Sequence, residues 1–402
     1  MAIKICILSS VHIALDNRVF YREACSLQRA GYDVTLIAVH DREEIKDGVR
    51  IVPLPRVPRW QRPLLWREVL RLALAVDAHL YLFHDPELLL PTPLLRWQTG
   101  RPTVYDVHEV NADFIAVKDY MPAALRYPAA WAFGWLEPLL ARLQSGLIFA
   151  DDQIAQDFAE IDVPKTTLFN FPAVEFVRAA TLTLALPTPG REQSRGERGP
   201  EAEPVVLYLG GMERNRGSAL MVEAFARVLC EMPAAQLLVV GHFMPPDLEQ
   251  EVADHAARLG IADSLTLAGR VPFETIGRYL QQAAVGWVTW QAARKNQRNI
   301  PTKLFEYMAY GLPVVSSDLP STQPFVHDGV NGYRVRADDP TAHAAAILAL
   351  LRDPGYAARL GRAGRILVQE RWNWQEMEKR LLRLVEELIS VNGEISEVAD
   401  RQ

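Results

Sequence analysis

The sequence of 402 residues contains little cysteine and no long apolar run. Its cysteines, Cys6, Cys25 and Cys230, are odd in number and far apart, so they indicate neither a disulfide framework nor metal-ligand spacing. No stretch of about 18 uncharged apolar residues occurs, which argues against a membrane-spanning helix. The opening residues turn polar after a short apolar run, which predicts a core strand rather than a signal peptide. We therefore expect a cytoplasmic protein with buried thiols.

The sequence also lacks an excess of basic residues and a dinucleotide-binding fingerprint. The formal net charge is -6, which argues against nucleic acid as the main partner. No G-x-G-x-x-G follows the first predicted strand, which argues against a nicotinamide dehydrogenase. Hydrophobic residues make up 49% and charged residues 23%, as is typical of globular domains, and the length fits two such domains.

Short apolar runs alternate with helical patterns in two blocks of the chain. This β-α-β rhythm predicts parallel sheets that are covered by helices on both faces. The predicted strands of the first block are 3–10, 32–39, 49–54, 79–83, 103–107, 146–150 and 166–170. Those of the second block are 205–211, 237–241, 265–269, 285–290 and 312–317.

The rhythm predicts two Rossmann-like domains, at 1–175 and 205–372. Residues 176–204 are rich in Pro, Gly, Arg and Glu and predict a linker that is poorly ordered around 188–203. Residues 373–402 predict a C-terminal helix, which can cross back to the first domain, and a tail. Parallel sheets bind ligands beyond the carboxyl ends of their strands, so we expect a site in a cleft between two facing domains.

Residues 299–318, NIPTKLFEYMAYGLPVVSSD, contain the clearest candidate site. Pro301 suits a first helical turn, and the amides of Thr302, Lys303 and Leu304 then lie at the positive end of a helix, where an anion binds. Lys303 adds a full charge. Glu306 follows about one turn later, either as an ordinary solvent-facing carboxylate or as the acceptor for a vicinal diol such as a ribose.

This segment resembles the nucleotide-binding signature of the family-4 retaining glycosyltransferases of bacterial surface-polysaccharide assembly. The resemblance continues through HDGVNGYRV at 327–335. It implies an α/β protein of the GT-B fold, with two facing Rossmann-like domains and a deep interdomain cleft. It also implies that Glu306 holds the hydroxyls of the donor ribose.

A second segment, LYLGGMERNRGSALMVEAF at 207–225, predicts a strand that ends in Gly210 and Gly211, followed by a loop and a helix. Glycines let a backbone approach a phosphate closely. The resemblance implies that Arg216, just before a glycine, contacts the donor diphosphate. A guanidinium can hold two phosphate oxygens at once.

Other donor-site residues follow from the resemblance alone. It implies that the strand ends at Gly241, Arg270 and Val271 line the base pocket, although they can equally be simple loop residues. The sequence departs from the family pattern where Arg298 replaces a glutamate and Gly211 replaces an arginine. Either Arg298, Asn299 and Arg214 take over these contacts, or the donor sugar is held differently.

The first half of the chain supplies polar residues at strand ends. Residues 16–34, which include Asp16 and Arg18, resemble the family's opening helix. His108 matches the family histidine near the donor sugar. The strand-end residues that could converge on a metal are His84, Asp85, Asp106, His108 and Glu109. We expect no metal, because the resemblance implies a class that works without one.

Two segments combine arginine with tryptophan and apolar residues. Residues 56–74 interleave arginines with Trp60, Leu64, Leu65 and Trp66, and residues 121–140 add aromatic and apolar surface. Each segment is either a helix packed on the first sheet or a peripheral attachment to the inner face of the cell membrane.

The sequence thus predicts a hexosyltransferase that transfers a sugar, with retention, from a nucleotide-sugar to a glycan or lipid-linked acceptor. A UDP-sugar is the favoured donor and GDP-mannose the second, with no cofactor. The predicted catalytic residues are His108, Arg216, Lys303 and Glu306. The alternatives are a non-catalytic subunit of the same fold, a nucleotide-sugar epimerase and a phosphorylase. The sequence shows neither the paired carboxylates of an epimerase nor the Schiff-base lysine of a phosphorylase.

Overall fold

A computed structural model describes residues 2–116, 122–185 and 203–399. The chain divides into two compact units. The first comprises Met1–Asn170 together with Trp374–Gln402, and the second comprises Phe171–Asn373. Each unit contains a largely parallel β-sheet covered by helices. Across the described residues, no helix is long and apolar enough to cross a membrane.

The sheet of the first unit has the strand order β3-β4-β2-β1-β5-β6-β7-β8 among the described residues. All pairs are parallel except β3 with β4. The first strand has almost no exposed side chain from Ile5 to Leu8, as expected for a strand covered on both faces. The strands are β1 Lys4–Ile13, β2 Asp33–Val39, β3 Glu44–Lys46, β4 Val49–Leu54, β5 Leu80–Phe83, β6 Thr103–Val107, β7 Gly146–Phe149 and β8 Lys165–Thr167.

The first helical segment of this unit, Asn17–Ala24, is a π-helix that continues into the α-helix Cys25–Arg29. Asp16 caps the segment, since its Oδ1 accepts from the amides of Arg18 and Val19. The α-helices of this unit are α1 Cys25–Arg29, α2 Arg62–Val76, α3 Thr92–Thr99, α4 Asn111–Ala116, α5 Ala123–Ala141 and α6 Asp152–Asp157, and the C-terminal α15 Trp374–Ala399.

The sheet of the second unit has the order β13-β11-β9-β14-β15-β16 and is parallel throughout its described pairs. Its strands are β9 Val205–Leu209, β11 Gln236–Val240, β13 Leu265–Leu267, β14 Ala283–Val288, β15 Val314–Ser317 and β16 Gly332–Val335, with a small separate pair β10 Met212–Glu213 and β12 Phe243–Met244. Its helices are α7 Val174–Ala185, α8 Ser218–Glu231, α9 Leu248–Arg258, α10 Ile276–Gln282, α11 Arg294–Arg298, α12 Lys303–Ala309, α13 Pro340–Arg352 and α14 Pro354–Glu370.

The C-terminal helix α15 packs on the first unit. The indole Nε1 of Trp374 donates to Ser26 Oγ at 2.9 Å, and the amide of Phe169 donates to Met377 Sδ at 3.3 Å. Further along the helix, Leu388 fills the space beside Gly146 of β7. The helix extends from Trp374 to Ala399, so it includes most of the residues for which the sequence predicted a helix and a tail.

The structure differs from the predicted end of the first domain at residue 175 and from the predicted linker at 176–204. Residues 171–173 and helix α7 belong to the second unit, and Phe176 packs against Phe273 and Tyr310. Phe176 attaches the start of this segment to the second unit by aromatic packing, and the composition of the segment does not reveal that contact. The predicted disorder around 188–203 lies, apart from Glu203, outside the described residues, as do residues 400–402 and Met121.

Both sheets reverse their strand order beside their first strand. In the first unit β1 lies between β2 and β5, and in the second unit β9 lies between β11 and β14. Loops on either side of such a reversal diverge and leave a crevice at the carboxyl ends of the strands. These two positions are where each unit can build a site.

Candidate functional site

The second unit contains a cavity of about 750 Å³ at the carboxyl ends of its strands. A cavity of this size holds a drug-sized molecule such as a nucleotide. It is lined by glycine loops, basic side chains and apolar residues: Leu209, Gly210, Gly211, Arg216, Val240, Gly241, His242, Arg270, Val271, Pro272, Phe273, Ile276, Trp290, Ile300, Pro301, Thr302, Lys303 and Glu306.

Two glycine loops approach each other on one side of the cavity. The amide of Gly210, after β9, donates to Val240 O at 2.7 Å, and the amide of Gly241, after β11, donates to Gly269 O at 2.9 Å. A Cβ atom at Gly241 would collide with the carbonyl oxygen of Gly210. Only glycine therefore allows the two strand ends to lie this close, and it leaves backbone rather than side chains on the cavity wall.

The ammonium of Lys303 lies buried at the same wall. Its Nζ has no hydrogen-bond partner among the described residues, and it lies 3.7 Å from the centroid of the Tyr208 ring. Burial, and then the positive charge of Arg216, hold the pKa of Lys303 well below its usual range. A buried cation without a full counter-charge is costly, so this site is suited to an anion.

Arg216 is held rigidly beside this lysine. Its Nη1 donates to Gly211 O at 2.8 Å, and its Nη2 lies 3.0 Å from Glu213 Oε1. The guanidinium also lies over the ring of Trp290, 5.3 Å from its centroid. These contacts fix the Arg216 guanidinium before a ligand binds, so the side chain loses little conformational entropy on binding.

Glu306 lines the cavity one helical turn after Lys303. The next residue, Tyr307, fixes this helix to the sheet, since its hydroxyl accepts from the amide of Leu209 at 2.7 Å and donates to Trp287 O at 3.3 Å. The Tyr307 ring occupies the space that a side chain at Gly286 would fill. These contacts fix the position of the helix on the sheet, and this position places Lys303 and Glu306 at the cavity wall.

The structure places most of the predicted donor residues at this cavity. Gly210, Gly211, Arg216, Gly241, Arg270, Val271, Thr302, Lys303 and Glu306 all line it.

Four other predicted donor residues do not line the cavity. Leu304 is fully buried, and its amide is not free, because it donates to Pro301 O at 3.1 Å. Arg214 instead forms ion pairs with Asp247 and Glu251 on the protein surface. Arg298 and Asn299 lie at the end of α11, outside the lining of the cavity.

The cavity also contains residues that the sequence did not indicate. Trp290 follows β14, while Pro272, Phe273 and Ile276 follow β13. The rule that parallel strands share their carboxyl edge could have placed them there, but no local pattern marked them as lining residues.

The first unit has a buried polar cluster at the carboxyl ends of β5 and β6. Arg18 holds both oxygens of Asp106, with Nε to Oδ2 and Nη2 to Oδ1 each at 2.9 Å. His108 Nε2 lies 2.9 Å from Asp106 Oδ2 and 2.8 Å from His84 Nδ1. The sequence named His84, Asp106 and His108 among the residues that could converge, and it placed Arg18 in the opening helix.

Glu23 is the member that the sequence did not predict. In an α-helix, residues five apart lie on different sides, at about 100° per residue, but the wider π-helix turn brings them together. Arg18 Nε thus lies 3.0 Å from Glu23 Oε1, and His84 Nε2 lies 3.4 Å from Glu23 Oε2. The only signal for this contact is an Arg–Glu spacing that fits a π-helix.

The surroundings shift the pKa values of the two carboxyl groups, Glu23 and Asp106, in opposite directions. Burial, and then the charge of Asp106, raise the pKa of Glu23 well above its usual range. Burial alone would raise the pKa of Asp106 too, but Arg18 and His108 outweigh it and hold that pKa well below its usual range. Burial lowers the pKa of His108 to about 4. At neutral pH the cluster therefore contains an ionised Asp106 and a neutral His108, and its surroundings favour the protonated form of Glu23.

The remaining predicted residues of the first half have other partners. Asp85 ties down the loop after β1, since its Oδ2 accepts from Ser9 Oγ at 2.8 Å and from the Ser10 amide at 2.6 Å. Asp16 is the cap described above, and Glu109 is exposed at the end of β6. Asp16, Asp85 and Glu109 are therefore not members of the buried cluster.

The cluster has the geometry of a metal site but not its charge. One ligand atom from each of Glu23, His84, Asp106 and His108 lies within 4.8 Å of the others. The Arg18 guanidinium, however, lies within 3.0 Å of both carboxylates and already supplies the positive charge. The side chains fit a protonated hydrogen-bond network better than they fit a divalent cation.

Two family models match the chain, a glycosyl transferase 4-like domain at residues 17–172 and the glycosyl transferases group 1 model at residues 203–353. A D-inositol 3-phosphate glycosyltransferase of Geodermatophilus obscurus is 32% identical over 196 residues, which cover 47% of this chain and 41% of that protein. The corresponding protein of Segniliparus rotundus is 28% identical over 294 residues, with 72% and 62% coverage. The chain spans about half the length of several curated relatives that it matches.

Solved structures resemble the chain over nearly its whole length. A sucrose-phosphate synthase from Thermosynechococcus elongatus superimposes with a TM-score of 0.71 at 20% identity, covering 97% of this chain and 100% of that one. Anabaena HepE, solved with UDP and glucose, gives 0.70 at 14% identity, with 96% and 100% coverage. These likenesses show the fold and confirm the predicted α/β GT-B class. The two family models together cover most of the chain, which belongs to the family-4 glycosyltransferases.

Proposed function

We propose that this protein is a retaining glycosyltransferase that uses a nucleotide-sugar donor. The observation that carries the proposal is the buried Lys303 ammonium, which has no hydrogen-bond partner among the described residues and lies next to Arg216 at a cavity wall built from glycine loops. Two cations beside exposed backbone suit a diphosphate, whose negative charge balances theirs.

The rest of the cavity suits a nucleoside. Glu306 is one turn from Lys303 and is the carboxylate that would accept hydrogen bonds from the two ribose hydroxyls. Phe273, Ile276 and Val271 offer apolar surface for the base, and the backbone near Gly241 and Arg270 offers polar groups for its edge. Mostly apolar walls with a few fixed polar groups are the usual composition of such a site.

Catalysis would then be mainly electrostatic. As the bond between the anomeric carbon and the diphosphate breaks, negative charge develops on the leaving oxygen, where Arg216 and Lys303 stabilise it. The acceptor hydroxyl attacks the same face, and its proton passes to the leaving phosphate oxygen. No protein nucleophile is needed in this scheme, and positioning supplies much of the remaining rate.

In the first unit we assign His108 to the sugar and acceptor side of the reaction. Its Nε2 is engaged by Asp106 and His84, so the ring orientation is fixed by a buried network. With a pKa of about 4 the imidazole stays neutral and can exchange hydrogen bonds with sugar hydroxyls. Asp106 and Arg18 act on substrate only through this ring.

For the donor we propose a UDP-sugar first and GDP-mannose second. The UDP and glucose held by Anabaena HepE support the first, and the phosphatidyl-myo-inositol mannosyltransferases among the relatives make a mannosyl donor the second. The proposed acceptor is a glycan or a lipid-linked saccharide of surface-polysaccharide assembly, reached from the cytoplasmic face of the membrane. We propose that no metal or cofactor takes part, because Arg216 and Lys303 supply the charge that a metal would bring to the diphosphate.

The rival candidate is a non-catalytic subunit of the same fold, and the position of Arg298 favours it. This residue stands where the family pattern has a glutamate for the donor sugar, and it lies outside the cavity lining. A chain with this departure could bind a nucleotide without transferring a sugar.

Activity of the purified chain separates the two candidates. The assay measures nucleotide release from UDP-glucose, UDP-N-acetylglucosamine and GDP-mannose in the presence of a panel of sugar and lipid-linked acceptors, with and without a chelator. Acceptor-dependent release from one donor, unaffected by the chelator and retained by an Arg298→Ala variant, supports the transferase. Nucleotide binding without release from any donor supports the subunit.

A further inference from the structure

The first unit exposes tryptophan on a group of neighbouring helices. Trp60, Trp97, Trp131 and Trp135 are each 70% exposed or more, and they are the most exposed tryptophans of the described residues. The sequence indicated two such segments, and the structure adds a third, α3, which carries Trp97 and Leu94. Exposed large apolar groups that gather in one region mark an interaction surface.

Helix α5 has its large apolar side chains on the wrong side for a core helix. Its inward face carries Ala130, Glu137 and Ala141, all buried. Its outward face carries Trp131, Trp135 and Leu139 at a spacing of four residues, so that they share one side of the helix.

The orientation of α5 is fixed by hydrogen bonds on its inward face. Glu137 Oε1 accepts from the hydroxyl of Tyr105 and from Asn111 Nδ2, each at 2.7 Å. Rotating the helix to bury its tryptophans would break both hydrogen bonds and would expose the Glu137 carboxyl group, which is buried and hydrogen-bonded in this orientation. The outward placement of the tryptophans is therefore determined by the packing.

The three helices form one continuous region. Helix α2 packs against α3, and Trp60 lies in the short turn that leads into α2. Arg96 of α3 donates to Leu143 O, directly after α5, at 2.7 Å. We call this region, with Trp60, Leu64, Leu94, Trp97, Trp131, Trp135 and Leu139, the tryptophan face.

The tryptophan face is basic although the chain as a whole is acidic. Its helices carry Arg62, Arg67, Arg71, Arg96 and Arg126, whereas their own acidic residues are Glu68, which pairs with Arg71, and the buried Glu137. Arg62 also pairs with Glu87, which precedes α3. The formal net charge of the chain is -6. Such a surface attracts an anionic partner that also accepts indole rings, which describes the headgroup region of an anionic membrane.

We propose that the tryptophan face docks onto the surface of an anionic lipid bilayer. Indole rings sit at the headgroup level, and arginines at the border of the face pair with lipid phosphates. The inference deepens the proposed function, on which it rests for the lipid-linked acceptor alone, because docking would bring the enzyme to an acceptor held in the same bilayer. A second copy of the chain or a partner protein is the competing occupant.

The test is sedimentation of the full chain with phosphatidylcholine vesicles, with and without phosphatidylglycerol, in the absence of nucleotide. We expect binding that requires the anionic lipid and falls as salt is added. Replacing both Trp131 and Trp135 with Glu is expected to weaken binding by more than about tenfold. Arg67→Glu is expected to weaken it by at least about fivefold, since one basic residue near an anionic surface contributes about that factor.

Ile45→Glu is the matched control, because Ile45 is 76% exposed and lies on β3, the edge strand of the sheet in the same unit, rather than on one of these helices. Circular dichroism and calorimetry with UDP show whether each variant is folded and has an intact nucleotide site. A failed nucleotide titration with intact vesicle binding would fault the proposed function and leave this inference standing.

Three results would overturn the inference. They are a folded wild type that does not bind anionic vesicles, variants of the tryptophan face that bind as well as Ile45→Glu does, and a dimer in sedimentation velocity that Trp131→Glu with Trp135→Glu dissociates. The last result would show that a second copy covers the face.

Discussion

The ammonium of Lys303 lies 3.7 Å from the centroid of the Tyr208 ring, and that aromatic face partly compensates its charge. The ring is buried, and no hydrogen-bond acceptor among the described residues reaches Nζ. A cation–π contact is weaker than the hydration that a lysine gives up on burial. Holding a positive charge here therefore costs stability, which is what is expected of an ammonium that serves an anionic ligand.

Lys303→Met is expected to remove nucleoside diphosphate binding and to stabilise the empty protein. The ligand loses a charge-assisted contact, so the affinity should fall by about 100-fold or more. The free energy of unfolding should rise by roughly 1–2 kcal/mol, because methionine fills the site without a desolvated charge. Calorimetry and thermal unfolding measure the two effects.

The pH dependence of the stability difference between Lys303→Met and the wild type provides the control for this prediction. The pKa of Lys303 is lowered on folding, so below the ordinary lysine value of 10.5 this side chain binds more protons in the unfolded chain than in the folded one. Its contribution to the free energy of unfolding therefore rises with pH in that range. The advantage of Lys303→Met should shrink as pH rises. An advantage that stays constant or grows would contradict the assignment of the lowered pKa.

The Glu306→Gln variant should show whether Glu306 contacts the ribose or the phosphates of the nucleotide. The glutamine is isosteric but a weaker acceptor, so the affinity for UDP should fall by about tenfold, as expected for loss of charge-assisted hydrogen bonds. Binding of inorganic pyrophosphate should not change, because it has no ribose. Glu249→Gln, at an exposed position of α9, is the matched control. Equal weakening of UDP and pyrophosphate would place Glu306 at the phosphates instead.

The pH–rate profile should show no titration of His108 across the neutral range. Burial lowers its pKa to about 4, so the imidazole is neutral on both sides of pH 6.5. We expect His108→Gln to lower the transfer rate by about 10²-fold while the shape of the profile stays the same. An inflection near pH 6.5 that is present in the wild type and absent in the variant would contradict the neutral imidazole.

Glu137→Gln should stabilise the protein above neutral pH but not in mild acid. Burial raises the pKa of Glu137 from 4.5 to about 7, so the stability that its protonated form provides is complete below pH 4.5 and is lost as pH rises through 7. Glutamine keeps the acceptor for Tyr105 and Asn111 without that loss.

The gain for Glu137→Gln should be near zero at pH 4.5 and up to roughly 3 kcal/mol at pH 8, measured by denaturant unfolding. Glu160→Gln, at an exposed position of the same unit, should show no such dependence. A gain that is the same at both pH values would contradict the raised pKa.

The donor site could be predicted from the sequence where its residues are close together in the chain. Lys303 and Glu306 lie in a continuous signature, and Gly210 and Arg216 lie in a second one, so spacing and resemblance identified them. Trp290 and Phe273 were not predicted, because they reach the cavity only through the order of the strands. Leu304 was wrongly included, since the helix turn that presents Lys303 and Glu306 to the cavity points Leu304 into the core.

The buried cluster of the first unit shows a different limit. His84, Asp106 and His108 follow predicted strands, so their meeting at one sheet edge was foreseeable. Glu23 was missed because the expectation of an α-helix places it away from Arg18, whereas the segment is a π-helix. Helix type, unlike hydrophobic periodicity, is decided here by long-range contacts.

We propose that the cavity of the second unit binds a nucleoside diphosphate without a metal. The most direct measurement is a calorimetric titration of the purified protein with UDP, GDP, ADP and dTDP, each with and without magnesium, alongside Lys303→Met. We predict tight binding of one diphosphate, UDP in the first instance, that magnesium does not change and that the variant loses. Failure of folded wild-type protein to bind any of the four, or binding that requires magnesium, would contradict the claim.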